Sequence, residues 1–336
     1  MNTYYLKKTF HIYRSGSHLS IGDPIQPQYF TTEYSEEIIN KLQNLIKNGA
    51  SEDEVRNDFL IKQLKNKDLL TTNQSYLQIE SRKTLFFQHF SINFSNYEFL
   101  NNNILILGAG ALGSTIVYLL AQFGFKNITI VDDDLVEKSD IEKTMIFRRE
   151  DIGELKVNSI KKIIHSVFNV EINTIPEKIT EINKIETLLL STKPNFLIKA
   201  CDPDLFFRVY INQLCFKYKI PYYNISYSYE SVNNGPMYIP GFTCCDNSLN
   251  KMFQSKLGQD FNFYNHSKLF TDYTIHPSIS FNINIASNIA LKEIIFFLSG
   301  NLEYVKSLGQ LAVFRPLYMD GAILKLKCES SCDVCN

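Results

Sequence analysis

The first eighty residues contain apolar positions with two different periods. The segment "YLKKTFHIYRS" (5–15) has strand character. Further on, Ile38, Leu42, Leu45 and Ile46 recur at helical spacing, and Gly49 suits the end of that helix. The pattern therefore predicts a strand followed by an amphipathic helix.

A second helix is predicted directly afterwards. Ser51 and Glu54 have the spacing of a capping box, in which each side chain satisfies a free amide of the other residue. We expect this helix to run through Val55, Phe59 and Leu60 and to end in a loop. Two helices with flanking strands favour a small winged-helix-like module over residues 1–80. Its helices lack a basic recognition face, so docking or dimerisation is expected rather than DNA binding.

From residue 104 onward, strand and helix patterns alternate. Strands are predicted at "NILILG", "NITIVD", "FLIKAC" and "IPYYNISY". Helices are predicted through Thr115, Leu119 and Phe123, and at "LKVNSIKKIIHSVF", "LFFRVYINQLCFKY" and "INIASNIALKEIIFFLSG". This alternation predicts an α/β domain over 81–336, with a Rossmann-like, mostly parallel sheet covered by helices.

Composition excludes several classes of protein. The chain has 336 residues, 45% hydrophobic and 21% charged, with a net charge of −1. Such a chain is an ordinary globular protein without bulk attraction to nucleic acid or an anionic membrane. The beginning resembles no signal peptide, and no uninterrupted apolar run approaches about 18 residues. We therefore expect a cytoplasmic protein whose seven cysteines are reduced or bind metal.

A glycine motif follows the first predicted strand of the larger domain. Gly108 allows a tight turn, Gly110 allows the backbone to approach phosphate, and Gly113 allows close helix packing. Asp132 closes the next strand, where a carboxylate would bind ribose hydroxyls. The motif predicts a bound ribonucleotide without saying which one.

The residues after Asp132 favour a nucleoside triphosphate over a nicotinamide cofactor. Charges are dense there, whereas a nicotinamide site needs few charges beyond its diphosphate contacts. A site that cleaves a triphosphate needs cations on the phosphates and carboxylates on Mg²⁺. The alternative is a solvated loop. The charged residues are Asp132, Asp134, Asp140, Lys143, Arg148, Arg149 and Lys156.

Another acid, Asp202, follows the predicted strand "FLIKAC". The carboxyl ends of parallel strands are where open α/β sheets bind ligands, so Asp202 could hold Mg²⁺. Since Pro203 comes next, Asp202 could equally be the N-cap of a helix.

Together these pieces resemble the adenylating domain of the ubiquitin-activating-enzyme superfamily, which includes the thiamine and molybdopterin sulfur-carrier adenylyltransferases. The resemblance rests on Arg82 in "SRKTLFF", on the three glycines, and on "VEKSDIEK", "DIGELK" and "ACDPD". Within the superfamily, "SRKTLFFQHFS", "ACDPDLFFRVYINQLC" and "IPYYNISYSYESVNNGPMYIPGFTCC" look most like the peptide adenylyltransferases that make microcin C. The N-terminal module is similar in size to the peptide-clamping domain of that family.

The resemblance implies that the C-terminal carboxylate of a short ribosomal peptide attacks the α-phosphate of ATP, or of CTP, and that pyrophosphate leaves. It further implies that Asp202 holds Mg²⁺, that Lys156 and Arg82 contact phosphates, and that Asp132 binds the ribose. In the family the arginine matching Arg82 reaches the neighbouring subunit's site, which implies a homodimer.

The chain departs from the family in the stretch before Lys156. Asp140 and Lys143 stand where the family has Asn and Arg. Lysine keeps the charge without the bidentate fork, and Asp140 needs a metal, Arg148 or Arg149 nearby to avoid repelling phosphate. We expect Asp134, Asp140 and Lys143 to line the nucleotide site.

The C-terminal cysteines indicate structural zinc. Cys332 and Cys335 form a C-x-x-C half-site. The family pairs it with an earlier half-site, whose first ligand would be Cys245, with Ser248 at the second position and Cys244 or Cys328 as the fourth thiolate. The alternative is unused thiols on a frayed terminus. Cys201 and Cys215 lie in apolar patterns and are expected in the core.

Two other functions stay open. One is a sulfur-carrier-activating enzyme that acts on a Gly-Gly tail, against which the N-terminal module argues. The other is a scaffold that has lost ATP chemistry and only binds a leader peptide, against which Asp202, Lys156 and Arg82 argue. For an NAD-linked dehydrogenase the sequence offers no convincing proton donor.

Overall fold

The structure is a computed structural model that describes residues 2–22, 30–72, 82–90, 92, 97–178, 182–201, 205–258, 277–328, 332 and 334. It divides into two compact units, Met1–Asn96 and Tyr97–Asn336. The domain boundary expected after residue 80 lies in the stretch 73–81, outside the described residues.

The first unit combines two small antiparallel sheets with short helices. Strand β1 (Tyr5–Leu6) pairs with β5 (Leu70–Thr71), and β2 (His11–Ser15), β3 (His18–Gly22) and β4 (Phe30–Glu33) form the second sheet. The helices are α1 (Glu36–Lys47), α2 (Glu52–Asn57), α3 (Phe59–Asn66) and α4 (Arg82–His89). The first helix is confirmed, whereas the predicted strand over 5–15 is divided into β1 and β2, which belong to different sheets.

The capping box is also confirmed, but the helix that it begins is shorter than expected. The Ser51 hydroxyl accepts a hydrogen bond from the Glu54 N–H, and the Glu54 carboxylate accepts one from the Ser51 N–H. The helix ends at Asp58, whose backbone is extended and whose carboxylate accepts from the Ile61 N–H to begin α3. The prediction of one helix through Phe59 is therefore wrong, because Asp58 caps a new helix there.

The second unit is built on an eight-stranded sheet in the order β13-β12-β11-β10-β9-β6-β7-β8. The part from β8 to β10 is parallel, and β11, β12 and β13 add antiparallel pairs. The fold class is confirmed. The strands are β6 (Ile104–Leu107), β7 (Ile128–Val131), β8 (Asn173–Ile175), β9 (Phe196–Lys199), β10 (Tyr222–Tyr227), β11 (Val232–Tyr238), β12 (Gln310–Arg315) and β13 (Asp320–Lys325).

Helices flank this sheet, and they include the four that the sequence predicts. Every residue of β6 is buried, as expected for a strand covered on both faces. The helices are α5 (Ala111–Phe123), α6 (Lys138–Lys143), α7 (Lys156–Phe168), α8 (Ile182–Thr192), α9 (Leu205–Tyr218), α10 (Asp246–Leu257) and α11 (Ser280–Leu298). The last helix thus ends just before the predicted stop at Gly300.

Helix α11 is the one helix of the described residues that is long and apolar enough to cross a bilayer, with a mean hydropathy of 1.3. Half of its most apolar stretch of 18 residues is buried, and the helix packs against α5, β10 and β11. It also carries buried Glu293, whose carboxylate accepts hydrogen bonds from the backbone N–H and hydroxyl of Ser307. These contacts are typical of a core helix.

Strand order reverses between β6 and β9, since β7 and β8 extend the sheet on one side and β10 on the other. Ligands of open α/β sheets bind at such a switch point, outside the carboxyl ends of the strands. The glycine turn after β6 and the segment after β9 both lie at this edge. The topology therefore places the candidate site there.

Close packing holds the glycine turn in place. Gly108 has φ +98°, and a Cβ on it would lie 2.7 Å from the Ala200 carbonyl oxygen. A Cβ on Gly113 would lie 1.8 Å from the Gly108 carbonyl oxygen. Both contacts are with backbone, which cannot rotate away as a flexible side chain can.

We predict that Gly113→Ala lowers the free energy of unfolding by more than about 3 kcal/mol, because the backbone of the turn must shift to admit the methyl group. Gly110→Ala is the matched control, since a Cβ there would meet no described atom within 4 Å. Urea unfolding of both variants checks this. Equal stability of Gly113→Ala and the wild type would contradict the packing.

Candidate active site

The turn between β6 and α5 is tied to the end of β7 by one carboxylate. Asp132 Oδ2 accepts a hydrogen bond from the Ala109 N–H at 2.6 Å, and Oδ1 accepts one from the Asp134 N–H at 2.8 Å. Asp132 therefore holds the turn in shape through these two hydrogen bonds. The ribose contact that the sequence predicts for Asp132 stays a prediction.

The turn leaves open space at its centre. Gly110 precedes the first residue of α5, and described atoms leave at least 4 Å free around the position of a Cβ there. The first N–H groups of a helix point out of its N-terminus and carry partial positive charge. An anion such as a phosphate can therefore approach the backbone at this point.

A buried lysine faces the same edge of the sheet. Lys156, the first residue of α7, is only 7% exposed. Its Nζ lies 3.0 Å from Asp134 Oδ2 and 3.8 Å from Asp140 Oδ2. Burial acts to lower the pKa of Lys156, but the hydrogen bond to Asp134 and the charges of Asp140, Asp134 and Asp132 raise it above its ordinary value. Lys156 is therefore protonated at neutral pH.

The cation beside Asp140 is Lys156. From the sequence, Arg148 or Arg149 was expected in that place. Asp140 is buried and accepts a hydrogen bond from the Glu137 N–H, which caps α6. Arg148 lies instead beside Glu150, on the surface. Lys143 donates to the Ser139 hydroxyl at 3.3 Å. The aspartate in place of the family asparagine thus has a counter-charge within the site, which it shares with Asp134.

Carboxylates that could hold a cation cluster beside this lysine. Ligand oxygens of Asp132, Asp133 and Asp134 lie within 4.8 Å of one another.

Asp202, expected to hold Mg²⁺, lies outside the described residues, and so does Cys335. Arg82 is the first residue of α4 in the first unit, and its side chain is exposed.

A cavity of about 470 Å³ is lined by Cys201, which packs against Gly108, and by a charged wall that was not predicted. Lys199 ends β9 and is 4% exposed, and Asp246 begins α10 and is 5% exposed. Lys199 Nζ lies 3.5 Å from Asp246 Oδ2, which also lies 3.3 Å from Arg208. The available signal was a lysine at the end of the otherwise apolar strand "FLIK".

The described cysteines fit only part of the expected zinc site. The sulfurs of Cys245 and Cys332 lie 3.7 Å apart, and two sulfurs about 2.3 Å from a tetrahedral zinc lie roughly 3.8 Å apart. Cys244 and Cys328 form a disulfide. Neither sulfur carries a thiolate charge while this bond is intact, so the expected fourth ligand stays a prediction that requires reduction of the disulfide. Cys215 is in the core as expected, while Cys201 is half-buried and lines the cavity.

Sequence comparison identifies the family. The profile of the ThiF family matches residues 82–334. The match covers most of the chain and includes the glycine turn, Lys156 and the cavity. The chain therefore belongs to the ThiF family.

Individual curated relatives match over shorter stretches. The NEDD8-activating enzyme E1 catalytic subunit of Drosophila melanogaster is 37% identical over 79 residues, which are 23% of this chain and 18% of that protein. The SAMP-activating enzyme E1 of Haloferax volcanii is 25% identical over 146 residues, 41% of this chain and 53% of that protein. The chain thus spans between about a fifth and a half of these relatives.

Solved structures match over nearly the whole length. E. coli MccB with AMPCPP and MccA superposes with a TM-score of 0.78 at 20% identity, covering 99% of this chain and 100% of that one. E. coli MccB with ATP gives 0.76 at 19% identity, covering 99% of both chains. At this identity the likeness shows that the two proteins share a fold, including the N-terminal unit.

Proposed function

We propose that the protein is an ATP-dependent adenylyltransferase that activates the C-terminal carboxylate of a short, ribosomally made peptide, for a microcin C-like product. The observation that carries the proposal is the open glycine turn beside a buried, protonated lysine, adjoining a cavity large enough for amino-acid side chains. ThiF family membership and the crystal structures of MccB with ATP and with MccA support it. Such an enzyme would work in the cytoplasm.

The proposed reaction forms one bond and breaks another at the α-phosphorus. A carboxylate oxygen of the peptide attacks this phosphorus, and the bond to the bridging oxygen of pyrophosphate breaks with its electron pair. The turn around Gly110 would hold phosphate oxygens through backbone N–H groups, and Lys156 would offset their charge. Mg²⁺, held by Asp202 as the family resemblance implies, would offset further charge on the departing pyrophosphate.

Full-length similarity favours peptide activation over sulfur-carrier activation. In superposition E. coli MccB covers 99% of this chain, with the N-terminal unit included, and MccB also crystallises with the peptide MccA. The buried lysine argues against a scaffold without ATP chemistry. If no phosphate bound at this turn, a buried cation beside it would have no evident role.

The experiment is exchange of labelled pyrophosphate into ATP, with pools of short synthetic peptides that differ in their last residue. We expect exchange only when a peptide is present. Lys156→Met should lower the rate by about 10²–10³, because a preorganised cation is lost from the transition state. The control is Lys162→Met on the same helix, whose ion pair with Glu154 is exposed. Unchanged exchange in Lys156→Met, or no exchange with any pool, would count against the proposal.

We further propose that the enzyme is a homodimer in which Arg82 completes the neighbouring subunit's site. The prediction concerns a heterodimer of an Arg82→Ala subunit and a Lys156→Met subunit, purified with two tags. One of its two sites has both residues, so about half of the wild-type rate should return although each parent is inactive. A heterodimer as inactive as its parents would show that Arg82 does not act across subunits.

Zinc is the third part of the proposal. Cys245, Cys332 and Cys335 would hold it, and reduction of the disulfide would free Cys244 as the fourth thiolate. Metal analysis of protein purified under reducing conditions should then find about one zinc per chain. Cys332→Ser should remove most of it, while Cys215→Ala, which changes a core cysteine, should retain it. Stable, metal-free wild-type protein would refute the site.

A further inference from the structure

A disulfide joins two elements that line the cavity. Cys244 lies two positions before Asp246, which begins α10, and Cys328 lies three positions after Lys325, which ends β13. Several residues of α10 line the cavity, and so does Leu324 of β13. The bond between the two cysteines therefore ties the end of β13 to the beginning of α10.

Strand β13 has few other attachments. It is the outer strand of the eight-stranded sheet, and among the described residues it pairs only with β12. All but one of its six residues are exposed, so little buried apolar surface stabilises it. Segments with few buried contacts and exposed backbone hydrogen bonds open locally at low free energy. A covalent link at the end of β13 therefore makes such opening rarer.

The two bonded cysteines differ in how easily a small molecule can reach them. Cys244 is buried, whereas Cys328 is exposed. Exposed disulfides are the labile or regulatory ones, while structural disulfides resist reduction by glutathione. In the reducing cytoplasm proposed for this enzyme, a disulfide is usually transient and either catalytic or redox-sensing. The exposure of Cys328 therefore indicates a bond that forms and breaks.

The cysteine pair is coupled to the charged wall through a short stretch of backbone. One residue separates Cys244 from Asp246. The N–H of Asp246 donates a hydrogen bond to the Tyr222 hydroxyl at 2.8 Å, and the carboxylate lies beside Lys199 and Arg208. A change in the bonding of Cys244 thus acts on the residue that pairs with both cations.

We propose that Cys244 and Cys328 form a reversible thiol–disulfide switch, which locks β13 to α10 when it is oxidised and releases them when it is reduced. The inference does not depend on what the cavity binds. It gives Cys244 a second use, since the reduced thiolate is also the proposed fourth zinc ligand. One sulfur cannot serve both purposes, so the disulfide and zinc exclude each other at Cys244.

The oxidant in this switch is a small disulfide of the glutathione type. The thiolate of Cys328 attacks one of its sulfurs, and one small thiol leaves. The thiolate of Cys244 then attacks the Cys328 sulfur of this mixed disulfide and expels the second small thiol. Two cysteine thiols are thereby oxidised to one disulfide, while the small disulfide takes up both electrons and both protons as two thiols.

The test is amide hydrogen exchange of the folded protein, measured by mass spectrometry in buffers of reduced and oxidised glutathione. A chelator is present so that no metal holds Cys244, and alkylation of free thiols reports the state of the pair. We expect reduction to speed exchange in β13 and in the first turn of α10 at least about tenfold, and reoxidation to restore the slow rate. Strand β6, which is fully buried, should not respond.

Two variants separate this bond from the other cysteines. Cys328→Ser cannot form it, so β13 and α10 should exchange at the fast rate in either buffer. Cys215→Ala changes a buried core cysteine and should keep the full response of the wild type. Equal exchange of the oxidised and reduced wild type would overturn the inference, as would a response that survives in Cys328→Ser. A pair that stays reduced in every buffer, or a bond that glutathione reduces only after unfolding, would also overturn it.

Metal analysis without the chelator tests the exclusion at Cys244. On oxidation the wild type should lose its zinc, of about one ion per chain, while Cys328→Ser should keep it. Zinc retained in the fully oxidised wild type would contradict the exclusion. Zinc absent from both forms would refute the metal site, whereas the switch itself stands or falls by hydrogen exchange. The two claims therefore fail in different ways.

Discussion

The contact between Gly113 and the Gly108 carbonyl is the constraint on which the rest of the larger unit depends. It holds the first turn of α5 against the strand that precedes it, while Gly108 itself touches the backbone of Ala200 after β9. The glycine turn and the segment after β9, which are far apart in the sequence, therefore meet at one edge of the sheet. The open space around Gly110 and the cavity beside Cys201 are neighbours because of this packing.

Two buried lysines at this edge share one electrostatic principle. Removing an ammonium group from water is costly unless anions lie close to it, and both Lys156 and Lys199 have aspartates nearby. Lys156 is surrounded by several carboxylates and keeps its proton. Lys199 has a pKa below its ordinary value, since burial outweighs the attraction of Asp246. The first lysine lies beside the turn that is proposed to hold the phosphates, and the second lies in the wall of the cavity.

Local patterns revealed the nucleotide turn and four strands of the eight-stranded sheet, namely β6, β7, β9 and β10. The apolar run of β6, the three glycines and the helical period of α5 are each visible within a few residues. Features that depend on distant residues were missed. Asp246 joins Lys199 across 47 positions, and the Cys244–Cys328 disulfide spans 84. The capping role of Asp58 was also missed, because an apolar period continued through it and obscured the end of α2.

The most direct test of the central claim is a crystal structure with a non-hydrolysable ATP analogue and Mg²⁺. The account predicts phosphate oxygens within hydrogen-bond distance of the backbone around Gly110, the ammonium group of Lys156 beside them, and the α-phosphorus facing the cavity at Cys201. A nucleotide bound elsewhere, or one whose phosphates point away from the glycine turn, would contradict it.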